Sequence, residues 1–188
     1  RSTGGGTTFN NGPHPIDHAL ELFGEGEPEI FADMQRGLCS GDAEDHLKIV
    51  LKAAGRPTID IELSDLFAYA QDRWHVCGTA GGLRGTADKL EWKWVDFASM
   101  PARPLSLDPT PDRSYNIEKL AWQTASWTPA TQADTGGGAA PSPQPVLDLY
   151  RDLYRTIREG APQVITPESV RRRVAVIERA RQVGGFYV

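Results

Sequence analysis

From Glu29 to Phe97 the apolar residues of this chain recur at every second position, and this restricts the fold more than any other feature. Leu47, Ile49 and Leu51 alternate with His46, Lys48, Val50 and Lys52, and Ile59, Ile61 and Leu63 alternate with Thr58, Asp60, Glu62 and Ser64. Successive side chains of a strand point to opposite faces, so each run buries one face and leaves the other polar. Between the two runs, Ala54-Gly55-Arg56-Pro57 has turn chemistry and predicts an antiparallel hairpin. Further strands are expected at 30–36, 73–78 and 89–95, the last setting Leu90, Trp92 and Trp94 against Glu91 and Lys93. Consecutive strands without intervening helices imply a mainly antiparallel sheet, not a doubly wound one.

Helical periods bracket this region. Ile16, Ala19, Leu20 and Phe23 form one apolar stripe that Gly24 can end, and His14, Asp17, His18 and Glu21 share the opposite face. After a stretch rich in Pro, Ser, Thr and Asp, read as an excursion loop over about 98–145, two helices close the chain. In the first, Val146, Leu149, Tyr150, Leu153 and Ile157 form the stripe and Gly160 stops it. The second opens with Thr166 as N-cap, Pro167 in the first turn and Glu168 near the positive end of the dipole, then presents Val170, Val174 and Ile177. The expectation is a single α+β domain over 1–188: a mainly antiparallel open sheet with helices on one face. Trp74, Trp92 and Trp94 make the other face better suited to a second subunit than to water, so a homo-oligomer paired through the sheet is expected.

A net charge of -5 argues against an extended phosphate-binding surface and hence against nucleic acid. The basic cluster Arg171-Arg172-Arg173 reads as a solvated helix face. Cys39 and Cys77, in no Cys-x-x-Cys arrangement, read as two buried thiols of a cytoplasmic protein. No apolar run reaches the roughly 20 residues a membrane span needs, and no export leader is expected. The chain starts at Arg1 and runs at once into Gly4-Gly5-Gly6, which is expected of a piece of a longer polypeptide.

The segment Gly4 to Asp17 is the most suggestive chemically. Successive glycines let a backbone approach a ligand, Asn10 and His14 are four apart, and Asp17 follows His14 by one helical turn. An amide, an imidazole and a carboxylate are thereby gathered at one helix entrance. In this segment the chain resembles the C-terminal domain of the Gfo/Idh/MocA oxidoreductases, whose three glycines and His or Tyr are matched by Gly4 to Gly6 and His14, with Asp17 and Leu22-Phe23-Gly24 following and Asn10 at the position of the family's Asp. Val76-Cys77-Gly78-Thr79-Ala80-Gly81-Gly82 resembles the family's strand-ending Gly-Thr-x-Gly turn, and Tyr150-Arg151-Asp152-Leu153-Tyr154, Gly160 and Thr166-Pro167-Glu168 resemble its closing helical pair.

The resemblance implies a full-length enzyme that exchanges hydride between NAD or NADP and a sugar, cyclitol or related secondary alcohol. An imidazole suits the accompanying proton transfer because its ordinary pKa of about 6.5 lies near working pH. His14 and Asn10 are therefore the candidate catalytic residues, and Asp17 and Gly6 the candidate substrate contacts. Asn10 departs from the family's Asp, and an amide can neither take a proton nor hold an imidazolium by charge. The dinucleotide-binding Rossmann domain and its lysine are not in this chain, and Gly78, Gly81, Gly82 and Gly85 lack Gly-x-Gly-x-x-Gly spacing, so by itself the portion is expected to bind no cofactor and to be inactive.

A metal-dependent hydrolase could use His14 and His18 with Asp17, needing His46 or His75 as a further ligand, but Pro15 stands where His-Glu-x-x-His has its glutamate. A non-catalytic binding or pairing module of the same fold is favoured by Asn10. A Ser-His-Asp hydrolase lacks its Gly-x-Ser-x-Gly elbow.

Overall fold

The computed structural model describes residues 5–38, 41–101, 107, 120–128 and 144–186. Its contacts divide the chain into two compact units, Arg1–Ala68 with Ala139–Val188, and Tyr69–Gly138.

The first unit contains α1 (Thr7–Asn10), α2 (Pro13–Phe23), β1 (Glu29–Gln35), β2 (His46–Lys52), β3 (Ile59–Ser64), α3 (Gln144–Glu159) and α4 (Pro167–Val183). The strands form an antiparallel sheet in the order β1-β2-β3, with Ile49 opposite both Ala32 and Ile61. The period-two pattern works as expected: Ala32, Met34, Leu47, Ile49, Leu51 and Ile61 point to one face and are buried. There they meet Ile16, Ala19, Leu20 and Phe23 of α2 and Val176, Ile177 and Ala180 of α4. Burying each large apolar side chain stabilises the unit by roughly 1.5–3 kcal/mol. The opposite face carries Phe31 and Val50 among polar residues, and on it Lys48 pairs with Asp60 at 3.0 Å and Glu62 at 3.2 Å. These carboxylates, Asp60 first, hold the Lys48 ammonium above its usual range. Such a solvated pair contributes little to stability.

The phase of α4 differs from expectation. Val170 and Val174 are 40% and 41% exposed, whereas the buried residues are Val176, Ile177, Ala180 and Arg181. The arginine cluster explains the rotation. Arg172 donates from Nη2 to the carbonyls of Gly24 at 2.7 Å and Gly26 at 2.6 Å, and Arg173 pairs with Asp17, so two of the three arginines face α2 and the turn after it. The solvated-face reading holds for Arg171, which is exposed. The α3 stripe is also outside the core, with Val146, Leu149, Tyr150, Leu153 and Ile157 all exposed.

The helix ends follow the sequence signals. Gly24 and Gly160 stop α2 and α3 with positive φ of 80° and 68°. The Thr166 hydroxyl accepts the Ser169 N–H at 3.1 Å, capping α4. Thr166→Ala is expected to cost about 1 kcal/mol, because that N–H then has no acceptor within the helix. A drop in the urea midpoint at unchanged slope checks it, and an unmoved midpoint would refute it.

The second unit is a four-stranded antiparallel sheet, β4 (Trp74–Cys77), β5 (Gly81–Gly85), β6 (Leu90–Trp94) and β7 (Gln123–Trp127), in sequential order. β5 lies where only a strand-ending turn was expected. Three of its five residues are glycine, which favours no strand by itself. Close strand approach fixes it instead, since a Cβ on Gly81 would lie 2.2 Å from the Lys93 carbonyl oxygen. The Gly78 N–H bonds back to the Gly81 carbonyl at 2.7 Å, so Thr79 and Ala80 form the tip of a tight hairpin. β7 is a strand inside the expected loop excursion; within that excursion, 102–106, 108–119 and 129–143 lie outside the described residues.

Register sets the two faces of this sheet apart. Trp74, Leu90 and Trp127 align across the strands, as do Val76, Leu83, Trp92 and Ala125, with Trp94 on the same face. The other face carries His75, Arg84, Glu91 and Lys93. Cys77 belongs to it and is exposed, which corrects the expectation of a buried thiol: its strand neighbours on that face are polar. Cys39 lies outside the described residues.

Candidate functional site

The chain enters the first unit through Gly5 and Gly6, at φ of 156° and 91°, and turns directly into α1. Gly4 lies outside the described residues. α1 spans a single turn and was not anticipated. Its Thr7 N–H donates to the Glu44 carbonyl at 2.9 Å, and the Thr7 hydroxyl donates to the Asp65 carboxylate at 2.9 Å. The start of β2 and the end of β3 thus hold the entrance from below.

Asn10, the last residue of α1, is exposed and lines a hollow of about 530 Å³ together with Gly5, Gly6, Glu44 and Asp65. Gly12 is buried between the two helices, and α2 then begins at Pro13 with His14 exposed in its first turn. Asn10 and Gly6 therefore share one hollow, while His14 stands on the following helix outside its lining. Asp17 is placed differently: its carboxylate pairs with Arg173 at 2.5 Å, which ties α2 to α4. Glu21 is exposed and His18 half-buried. Among the described residues no three His, Cys, Asp or Glu side chains gather to hold a metal ion.

Two residues that the sequence did not single out lie beneath the entrance. Glu44 is buried; its Oε1 accepts the Thr8 N–H at 3.2 Å and lies 3.7 Å from Nη1 of Arg181, which is buried too. The Arg181 guanidinium also sits 4.5 Å from the centre of the Phe9 ring and donates to the Phe186 carbonyl at 3.0 Å. A correctly phased α4 stripe is the signal that finds Arg181, because an arginine in line with Ile177 and Ala180 has to have a buried partner. Next to Glu44, the Asp45 carboxylate accepts the N–H groups of Gly37 and Leu38, both at 2.7 Å.

The second unit has its own concavity, about 940 Å³, over the polar sheet face. There Lys93 lies 4.8 Å from the centre of the Trp122 ring, and Lys89 and Arg84 hold the Glu91 carboxyl below its usual range, Lys89 contributing most.

Comparison with known proteins defines the fold first. The chain is similar to an oxidoreductase from Bacillus cereus (15% identity, TM-score 0.66, covering 94% of this chain and 49% of that one). It is likewise similar to an NAD-binding protein from Listeria innocua (18%, 0.64, 96% and 50%). A third is an oxidoreductase from Agrobacterium radiobacter solved in complex with NAD+, L-tartaric acid and magnesium (15%, 0.64, 95% and 46%). At these identities the likeness concerns the α+β fold, and the chain spans about half the length of the solved structures it matches. No curated protein matches it. Residues 1–84 match the family model described as the GFO/IDH/MocA C-terminal domain. That stretch holds the glycine entrance, α1, α2 and the first sheet. Among the described residues no helix is long and apolar enough to cross a membrane.

Proposed function

We propose that this chain is the substrate-binding and subunit-pairing part of a cytoplasmic NAD(P)-dependent oxidoreductase acting on a sugar, cyclitol or related secondary alcohol. The observation that carries the reading is the glycine entrance. It sets Asn10 and the Gly6 backbone in one polar hollow, with His14 exposed on the next helix, inside the stretch that matches the family domain. The Agrobacterium oxidoreductase, with its NAD+ and L-tartaric acid, supports a nicotinamide cofactor and a hydroxylated substrate.

The described residues do not offer a dinucleotide-binding fold. Both sheets are antiparallel, and Gly81, Gly82 and Gly85 lie on a strand of one of them, not at a helix N-terminus as a pyrophosphate site requires. On this reading, holding the cofactor falls to another domain of the full-length protein. In this chain His14 takes the proton from the substrate hydroxyl, and Asn10 orients that hydroxyl by donating and accepting hydrogen bonds. Gly6 lets the backbone come close to the substrate, and Asp17, pinned by Arg173, keeps lone pairs for a neighbouring hydroxyl. Pairing with a second copy uses the tryptophan face of the second sheet, since buried interface cores favour aromatic residues.

The test is made on the full-length polypeptide: NAD and NADP titration, turnover against a panel of polyols and sugars, and mass by light scattering. The expected result is cofactor binding, turnover of at least one secondary alcohol, and a dimer or larger assembly. A second reading, a non-catalytic module of the same fold, is favoured by Asn10 standing where a proton-accepting carboxylate is expected. Folded protein without cofactor binding or turnover would decide for it.

A further inference from the structure

We propose that Glu44 and Arg181 are positioning residues: a buried ion pair that sets the place of the Gly6–Asn10 segment, and so of the Asn10 amide in its hollow. Four contacts converge on this segment from elements distant in sequence. Glu44 holds Thr7 through its backbone carbonyl and Thr8 through its carboxylate. The same carboxylate lies flat beneath Gly6, where a Cβ would meet its atoms at 2.3–2.5 Å. Arg181, from the last turn of α4, balances the carboxylate at 3.7 Å and sets its guanidinium carbon 4.5 Å over the centre of the ring of Phe9, next to Asn10. Its Nη2 also donates to the Phe186 carbonyl at 3.0 Å, a further anchor for the guanidinium.

The arrangement is unusual for a purely structural pair. Removing two charges from water is costly, and apolar residues of similar volume stabilise such a place at least as well. One oxygen, Glu44 Oε2, has no hydrogen-bond partner among the described residues. What the pair provides that apolar residues cannot is direction: an acceptor aimed at the Thr8 N–H and a cation aimed at the Phe9 ring face. Through these the first turn of the chain is set by the start of β2 and the end of α4 together.

The catalytic arm of this inference rests on the oxidoreductase reading; the structural arm does not. The experiment compares Glu44→Gln, Arg181→Met and the double variant Glu44→Met/Arg181→Met in the full-length polypeptide, by hydrogen exchange, melting and kinetics. Each single change leaves an uncompensated partner, and the double removes both charges. In the double variant the melting midpoint is expected to return close to wild type, while amide exchange over residues 7–10 stays at least about tenfold faster, since local opening is read separately from global stability. Glu44→Gln keeps an acceptor for Thr8 and is expected to show the smaller change in exchange of the two single variants. Where wild type turns over, the double variant lowers kcat with cofactor affinity unchanged.

Wild-type exchange over 7–10 in the double variant would overturn the inference whatever the turnover, and so would wild-type kcat in a turning-over enzyme. Cofactor binding and turnover missing from wild type itself would overturn the oxidoreductase reading alone, and the exchange result would still decide the positioning role.

Discussion

Replacing His14 with Ala in the full-length polypeptide is expected to lower turnover by about 10²–10⁴-fold, the usual contribution of a positioned acid–base group. Affinity for the cofactor is expected to stay at its wild-type value. The side chain is exposed in the first turn of α2, so its removal takes nothing from the core. Alanine is the better helix former, so the melting midpoint should hold or rise slightly. Loss of turnover therefore cannot come from unfolding, and steady-state kinetics beside a melting curve separates the two. Full turnover in His14→Ala would remove the imidazole from the chemistry. Asp17 behaves differently. It closes an ion pair with Arg173 between α2 and α4, so its replacement mixes a packing effect with any effect on substrate. His14 is the cleaner probe of the reaction.

How much of this was legible in the sequence follows from which force fixes each element. The strands of the first sheet were legible because one face of them is buried, and burial prints the period of two directly: Leu47, Ile49 and Leu51 are all fully buried. The α2 stripe and the Thr166 cap were legible for the same local reasons. β5 was not, because its glycines carry no side chain to show a period, and the close approach of Lys93 that calls for Gly81 comes from a strand still to follow in the sequence. β7 was hidden in a stretch whose composition reads as loop, and its pairing with β6 is again non-local. The phase of α4 was misread because arginines count as polar in any periodicity, whereas Arg172, Arg173 and Arg181 spend their charges on Gly24, Asp17 and Glu44. The site divided along the same line. Gly6, Asn10 and His14 stood out by spacing within one segment, but Glu44 lies 36 residues from the Thr8 amide it holds, and a single sequence has no local signal for that contact.

Gly6→Ala is expected to destabilise the first unit by about 3 kcal/mol or more, because two costs fall on the same atom. At φ 91° the backbone of Gly6 is in a region that L-residues rarely adopt, which alone costs on the order of 1–3 kcal/mol. The added methyl also lies 2.3 Å from one carboxylate oxygen of Glu44 and 2.5 Å from the other. That carboxylate is buried and held by the Thr8 amide and Arg181, so a retreat from the methyl gives up these contacts. Overpacking of this kind typically adds roughly 1–3 kcal/mol. Gly55 provides the control: its φ is 71°, but nothing lies within 4 Å of the place its Cβ would take, so Gly55→Ala carries the backbone cost alone, about 1 kcal/mol. Urea unfolding of both variants measures the difference. Equal losses would mean that the Glu44 carboxylate yields to the methyl and that the entrance is set by backbone conformation only. A loss at Gly6 about 2 kcal/mol larger, accompanied by faster amide exchange at Thr8, is what steric contact between the glycine entrance and the buried acid requires.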